Sequence, residues 1–253
     1  MKTLFIGQNI IYLKSVDSTN SYATEMLRQN NIPEGSLIYT FNQTNGRGQR
    51  GNQWESQPNK NVALSLVLHP TFICADKQYL LIKIISLAVA DLLADILFQV
   101  EMAGRIKIKW PNDIYIDDKK IGGILIENIW RDNKLQSSVV GIGININQTH
   151  FVSTNKSTSL ALLTNRETDL KEVIEQLCSH IEARYLQLKA NKLENIDFEY
   201  LQRLYRLNTW NLFSANNQTF EGNITGVGDS GKLNVLMKTG ETIAFDLKEI
   251  VFI

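Results

Sequence analysis

The sequence predicts an α+β fold built on a largely antiparallel sheet, with a small β-barrel at the C-terminal end. Three observations carry this expectation. Strand-like runs at 36–41 and 61–68 are followed by a meander of such runs over 106–146; helical periodicity is segregated into 21–29, 79–100, 170–189 and 198–207; and past Asn208 the texture turns to short β-rich segments. At 253 residues the chain suits one domain with an appendage, divided here as 1–207 and 208–253.

The elements follow in order. Asp17-Ser18-Thr19-Asn20 offers short polar side chains as caps for a helix over 21–29, with Ala23, Met26 and Leu27 on its buried side and Pro33 and Gly35 ending it. The polar, glycine-punctuated segment 42–60 is longer than the usual connection, and loops of that length are functional or disordered. The most apolar stretch, 79–100, approaches a bilayer span in length. Lys83, Asp91, Asp95 and Gln99 interrupt it at multiples of four and share one face, which makes it an amphipathic helix packed on a core. Strands are expected at 106–110, 114–117, 120–130 and 135–146, with turn chemistry at Asp117-Asp118 and Asp132-Asn133. Beyond Asn208, Gly228-Asp229-Ser230-Gly231 and Thr239-Gly240 mark turns of the barrel.

Composition removes several function classes. Lys plus Arg number 26 and Asp plus Glu 26, so no general excess of cations exists to displace counterions from nucleic acid, and any anion site must be local. Cys74 and Cys178 lie far apart, and His69, His150 and His180 are scattered without a neighbour at ligand spacing, which argues against zinc hydrolysis. The first ten residues carry one lysine and a broken apolar run, so no signal peptide is read and a reducing cytoplasm is expected. No phosphate-binding P-loop or serine nucleophile elbow occurs, and no strand-borne G-x-G-x-x-G opens a helix with an acidic residue downstream.

Four constellations remain. Gly46-Arg47-Gly48-Gln49-Arg50-Gly51, followed by Asn52-Gln53-Trp54, sets anion-approaching backbone and two guanidinium groups beside an indole. It reads equally as a solvated loop. Lys109-Trp110-Pro111-Asn112-Asp113 stops strand pairing at Pro111 and offers Asn and Asp at a corner, as a site or as a plain turn. Lys119-Lys120-Ile121-Gly122-Gly123 opens space beside a lysine that can reach a phosphate or carboxylate, or that simply guards a sheet edge. Gly141-Ile142-Gly143-Ile144-Asn145-Ile146-Asn147 alternates strictly, leaving a face without bulk for a bound ring or a packed helix.

Taken in order, Ser18-Thr19-Asn20, Gln43 with Gly46-Arg47-Gly48, Trp54, Lys109-Trp110-Pro111-Asn112-Asp113, Lys120 with Gly122-Gly123, and Gly141 to Asn145 resemble the signature of biotin protein ligases across nearly the whole chain. The resemblance implies a catalytic domain like those of class II aminoacyl-tRNA synthetases and lipoate ligases, with a small Src-homology-3-like C-terminal barrel. It implies a reaction in which biotin and MgATP give biotinyl-5′-adenylate and pyrophosphate. A lysine of the biotin carboxyl carrier protein of acetyl-CoA carboxylase, or of a related carboxylase, then takes the biotinyl group and releases AMP. Ser-Thr-Asn begins at residue 18, so the expected form is the one without an N-terminal DNA-binding domain, with no DNA or membrane partner. Family members often form homodimers through catalytic-domain strands.

By the same resemblance, Lys120, Arg47, Asp113 and Lys109 would be catalytic. Arg47 and Lys120 would stand at the biotin carboxylate and the α-phosphate, and Asp113 would orient the acceptor lysine or the magnesium ion. Ser18, Thr19, Asn20, Gln43, Gly46, Gly122, Gly141 and Gly143 would join them around biotin, and Arg50, Asn52, Trp54, Asn112 and Asn145 would join Lys120 around ATP. One departure stands out: many members carry Gly-Arg-Gly-Arg, whereas this chain has Gln49, which supplies no charge. Either Arg50 replaces it or the adenylate is held less tightly. The alternatives are a lipoate or octanoate ligase of the same fold and a biotin-binding sensor without catalysis.

Overall fold

Chain order in the computed structural model is β1 (Ile10–Leu13), α1 (Thr19–Gln29), β2 (Leu37–Thr40), β3 (Gly46–Arg47), β4 (Gln53–Trp54), β5 (Val62–Leu68), α2 (Tyr79–Leu97), β6 (Ile106–Lys109), β7 (Asp113–Ile116), β8 (Lys119–Arg131) and β9 (Lys134–Ile144). There follow α3 (Leu160–Thr164), α4 (Leu170–Lys189), α5 (Leu193–Gln202), β10 (Trp210–Ala215), β11 (Gln218–Val227), β12 (Leu233–Met237), β13 (Thr242–Phe245) and β14 (Val251–Phe252). The structure describes every residue except 30–31, 132–133 and 153–155, and every described side chain except that of Arg50. The turn expected at Asp132-Asn133 therefore lies outside the described residues.

Seven strands form one mixed sheet in the order β1-β2-β5-β9-β8-β7-β6, parallel only between β1 and β2. The meander of β6 to β9 is antiparallel throughout, as its turn chemistry predicts. β5 is buried along its whole length because both faces are covered. Leu64, Leu66 and Leu68 point into the main core with α2 and α4, while Val67 meets Ala23 of α1 in a smaller cluster. Ser18 caps α1: its carbonyl accepts from Tyr22 N at 3.1 Å and its hydroxyl from Ser21 N at 3.4 Å.

Two helices depart from the sequence reading. The charged stripe that starts on α2 faces water only at its far end, where Asp95 and Gln99 are exposed; before that, Lys83 is ion-paired to Asp197 at 2.6 Å, and Asp91 to Arg184 at 2.7 Å and Arg203 at 2.8 Å. The stripe is thus the seam to α4, α5 and the residues after them, where paired charges satisfy what burial would otherwise leave bare. The helix expected at 198–207 occupies Leu193–Gln202 instead and buries Ile196 and Tyr200. Arg206 and Asn208 take left-handed backbone, φ 60° and 55°, which no helix continues. β1 and α3 carry too little periodicity to be read from the sequence.

The remaining strands form a five-stranded antiparallel sheet in the order β13-β12-β11-β10-β14, with turns at Gly228–Gly231 and Gly240 as expected, in keeping with a small Src-homology-3-like barrel. Phe213, Ile224 and Leu233 of this sheet share one hydrophobic cluster with α2 and α4. The Trp110 indole N–H donates to the Gly231 carbonyl across the seam at 2.9 Å. Among the described residues no helix is long and apolar enough to cross a membrane.

Candidate active site

The sheet face that α1 covers only in part carries a cleft of about 470 Å³ of empty space open to solvent. Period-two geometry builds it. Register places Gly123 opposite Gly143 and Leu125 opposite Gly141, so β8 and β9 present a low floor there. A Cβ at Gly143 would lie 2.5 Å from the Trp54 indole, and one at Gly141 would lie 2.2 Å from Asn20 Oδ1. The packed helix end accounts for Gly141, while the ring over Gly143 is the protein's own Trp54 indole.

The long segment 42–60 folds over this floor instead of forming an open loop. β3 and β4 pair Gly46 with Trp54 and Arg47 with Gln53, and Gly48 N donates to Asn52 O at 2.7 Å to close the hairpin. This two-stranded unit makes no ladder with the main sheet. Arg47, Gly48 and Trp54 line the cleft, while Gly46 and Asn52 line an adjoining concavity on the hairpin. The Arg50 side chain lies outside the described ones.

The first turn of α1 forms one wall. Ser18, Thr19 and Asn20 are each 3% exposed. Gln43 Oε1 accepts from Thr19 N at 2.9 Å and from the Thr19 hydroxyl at 3.2 Å. Ser65 on β5 donates to Asn20 Oδ1 at 2.6 Å and lies 2.8 Å from the Thr19 hydroxyl. A ligand reaching this wall meets polar groups already held in place, so little reorganisation is needed.

The opposite wall carries the charge. Lys120 Nζ lies 2.6 Å from Asp113 Oδ1 and 5.7 Å from the Trp54 ring. A register shift between Ile114 and Tyr115 separates the pairing of Asp113 with Gly123 from that of Tyr115 with Lys120, which brings the two side chains together on one side. Backbone bonds from Lys120 N to Lys156 O at 2.7 Å and from Thr158 N to Lys120 O at 2.9 Å pin the lysine's base. Asn112 lines the same wall, and its amide donates to the Ile124 carbonyl. The Trp110–Pro111 peptide is cis, and the Tyr79 hydroxyl donates to the Pro111 carbonyl at 3.1 Å.

Three of the expected site residues line neither the cleft nor the adjoining concavity. Gly122 turns to the other face, where a Cβ would meet the Gly143 carbonyl at 3.2 Å and the Ile114 side chain. Asn145 is buried, its amide donating to Thr158 O at 3.0 Å; its Oδ1 has no hydrogen-bond partner among the described residues. Lys109 sits behind Asp113, with its ammonium 4.8 Å from the Tyr115 ring and 5.0 Å from the Phe252 ring of β14. Burial pulls the Lys109 pKa below the usual lysine range while Asp113 opposes that shift. Burial, and then Asp113, push the Tyr115 phenol up to about 12.

The model of the biotin/lipoate A/B protein ligase family matches residues 12–145, more than half of the chain and every residue lining the cleft and its adjoining concavity. The chain belongs to this family. The bifunctional ligase/repressor BirA of Bacillus subtilis is 34% identical over 249 residues, covering 96% of this chain and 73% of that protein. The biotin–[acetyl-CoA-carboxylase] ligase of Paracoccus denitrificans is 27% identical over 229 residues, covering 87% of this chain and 91% of its own. The biotin protein ligase of Aquifex aeolicus in complex with biotin and ATP superposes with a TM-score of 0.78 at 27% identity, over 96% of this chain and 98% of that one.

Behind the lining of this ligase-family cleft, sequence reasoning missed two polar residues that hold Thr19, Asn20 and Arg47. Ser65 is hidden in the apolar run of β5, and Glu127 lies outside the four constellations. Counting by twos from Gly123 along β8 reaches Leu125 and then Glu127 on the cleft face, and that is the signal the sequence holds.

Proposed function

We infer that this chain is an ATP-dependent biotin protein ligase. It activates biotin to biotinyl-5′-adenylate and transfers the biotinyl group to a lysine of the biotin carboxyl carrier protein of acetyl-CoA carboxylase or a related carboxylase. The observation that carries the reading is the Lys120–Asp113 pair, 2.6 Å apart, at the rim of a glycine-floored cleft.

In the first step a biotin carboxylate oxygen attacks the α-phosphorus and the bond to the pyrophosphate leaving group breaks. Two anions meet, so fixed cations and positioning must supply most of the catalysis. Lys120 is the charge we assign to the α-phosphate in both steps, with Arg47 across the cleft at the biotin carboxylate. Ser18, Thr19, Asn20 and Gln43 hold the biotin head, and Gly141 and Gly143 form the floor beneath it. Asn112 and Trp54 serve the nucleotide, while Gly46, Asn52 and Arg50 on the hairpin complete its approach. Lys109 adds positive potential from behind the wall. We assign Gly122 and Asn145 supporting roles in the strands that carry Lys120 and Gly143.

In the second step the amine of the carrier lysine attacks the acyl carbon and AMP leaves. Asp113 is the carboxylate placed to orient that amine. Asp113 is also the carboxylate we propose for Mg²⁺. Among the described residues no three metal-ligating side chains gather, which fits an ion bound mostly through substrate phosphates and one carboxylate. There Mg²⁺ would neutralise phosphate charge. We place the reaction in the cytoplasm, consistent with the two free thiols, Cys74 and Cys178.

Exchange of labelled pyrophosphate into ATP tests the reading. Purified protein should support exchange with biotin and not with lipoate or octanoate. Exchange with lipoate alone would change the substrate, and none with any acid would remove the activity.

A further inference from the structure

Glu127 stands beside the cleft and joins two parts of the site, the β3–β4 hairpin and the first turn of α1. Its two carboxylate oxygens take different partners: Oε1 accepts from the Arg47 guanidinium at 3.0 Å, and Oε2 from the Asn20 amide at 2.9 Å. Arg47 belongs to the β3–β4 hairpin, and Asn20 to the first turn of α1. Asn20 is held on its other side by Ser65, and its amide also donates to Leu125 O at 3.2 Å. Asn20 is thus a fixed anchor, and Arg47, with its side chain 48% exposed, is the solvent-facing partner.

The hairpin needs such an anchor because it has no ladder hydrogen bonds to the seven-stranded sheet. Trp54 over Gly143 holds its second strand, and Arg47 holds the first through Glu127 and a 3.3 Å bond to Ser21 Oγ. A carboxylate suits this junction and an amide does not. Both partners donate, and each meets a different oxygen, so a glutamine in the same pose would turn an NH2 donor toward one of them.

We propose that Glu127 is a positioning residue for the ligation reaction: it latches Arg47, and with it the β3–β4 hairpin, onto the cleft wall formed by Asn20, and so slows escape of the adenylate. The inference rests on the biotin ligase reading for its kinetic consequence, but the latch itself is testable without substrate.

Hydrogen–deuterium exchange of the protein without added ligand reads the latch directly. In Glu127→Gln the amides of residues 46–54 should exchange faster than in the parent, while those of β5 and β9 stay unchanged. Equal exchange at 46–54 would overturn the latch, whatever the enzyme's substrate. In stopped-flow fluorescence, release of biotinyl-adenylate should be about fivefold faster in Glu127→Gln, the scale of one partly exposed ion pair. The variant should add nothing in an Arg47→Ala background. A full additional effect there would mean that Glu127 acts through Asn20 alone, and the latch would fall. Salt provides a further check: raising ionic strength to about 1 M, where the screening length is about 3 Å, should speed release from the parent protein more than from Glu127→Gln, because the charge of the adenylate itself is screened alike in both. Release insensitive to salt in the parent would count against the latch.

Discussion

At Lys120 the chemistry depends on a single ammonium group. It is one-third exposed and paired with Asp113, so its removal uncovers no deeply buried partner and the fold should survive. Lys120→Ala should retain its far-ultraviolet dichroism and lose adenylation by about 100- to 1000-fold, the usual effect of deleting one preorganised charge, ~2.7 to 4 kcal/mol. Pyrophosphate exchange measures it, and near-normal exchange would take Lys120 out of its role. Gln49 poses the opposite question, since it adds no charge where the family pattern that the sequence resembles implies an arginine. Gln49→Arg should slow release of biotinyl-adenylate in stopped-flow fluorescence, by about two- to fivefold for one added exposed cation. These residues are legible in the sequence because their chemistry depends on type and spacing. Glu127 and Ser65 are not, because an acid or a hydroxyl on a strand says nothing until the neighbouring strand and helix are placed.

At the level of elements, the floor of the cleft is decided by β9. Gly and Ile alternate along it, so side-chain bulk is confined to one face, and the observed pairing of Gly143 with Gly123 agrees. An added methyl at Gly143 would meet the Trp54 indole at 2.5 Å. Gly143→Ala should therefore displace Trp54 and raise the KM for biotin by about tenfold, with overpacking strain of ~1 to 3 kcal/mol. Intrinsic tryptophan fluorescence and steady-state exchange kinetics would check both effects. The same alternation does not say what lies on the empty face. Helix α2 shows a further limit. Its charged stripe is visible at the right spacing, but whether such a stripe meets water or an ion-paired neighbour depends on where Arg184, Asp197 and Arg203 arrive from more than ninety residues away.

The whole molecule brings the C-terminal sheet against the corner that carries Asn112 and Asp113. Gly231 sits at φ 87°, and a Cβ there would lie 2.5 Å from the Tyr79 ring. Its carbonyl also holds Trp110, while Tyr79 holds Pro111. Gly231→Ala should destabilise the protein by about 1 to 3 kcal/mol, from left-handed backbone and crowding together. Urea denaturation measures that loss, and a parallel fall in adenylation would show that the strain reaches Asp113. The motif around Trp110 and the turn at Gly228–Gly231 are each readable as local chemistry. Their contact is not, because the two lie about 120 residues apart and no periodicity encodes it.

The sequence by itself determined the α+β class, the antiparallel meander, the turns at Asp117-Asp118, Gly228–Gly231 and Gly240, and the residue types able to join a carboxylate to a phosphate. These follow from backbone sterics, side-chain alternation and charge, all of which act within a few residues of one another. Only the tertiary structure decided that Lys120 faces Asp113, that the segment 42–60 folds as a hairpin over glycine, that Lys109 withdraws among aromatic rings, and that Glu127 bridges hairpin and helix. Those outcomes depend on register and packing between distant segments, where a shift of one residue in a strand turns every side chain to the opposite face.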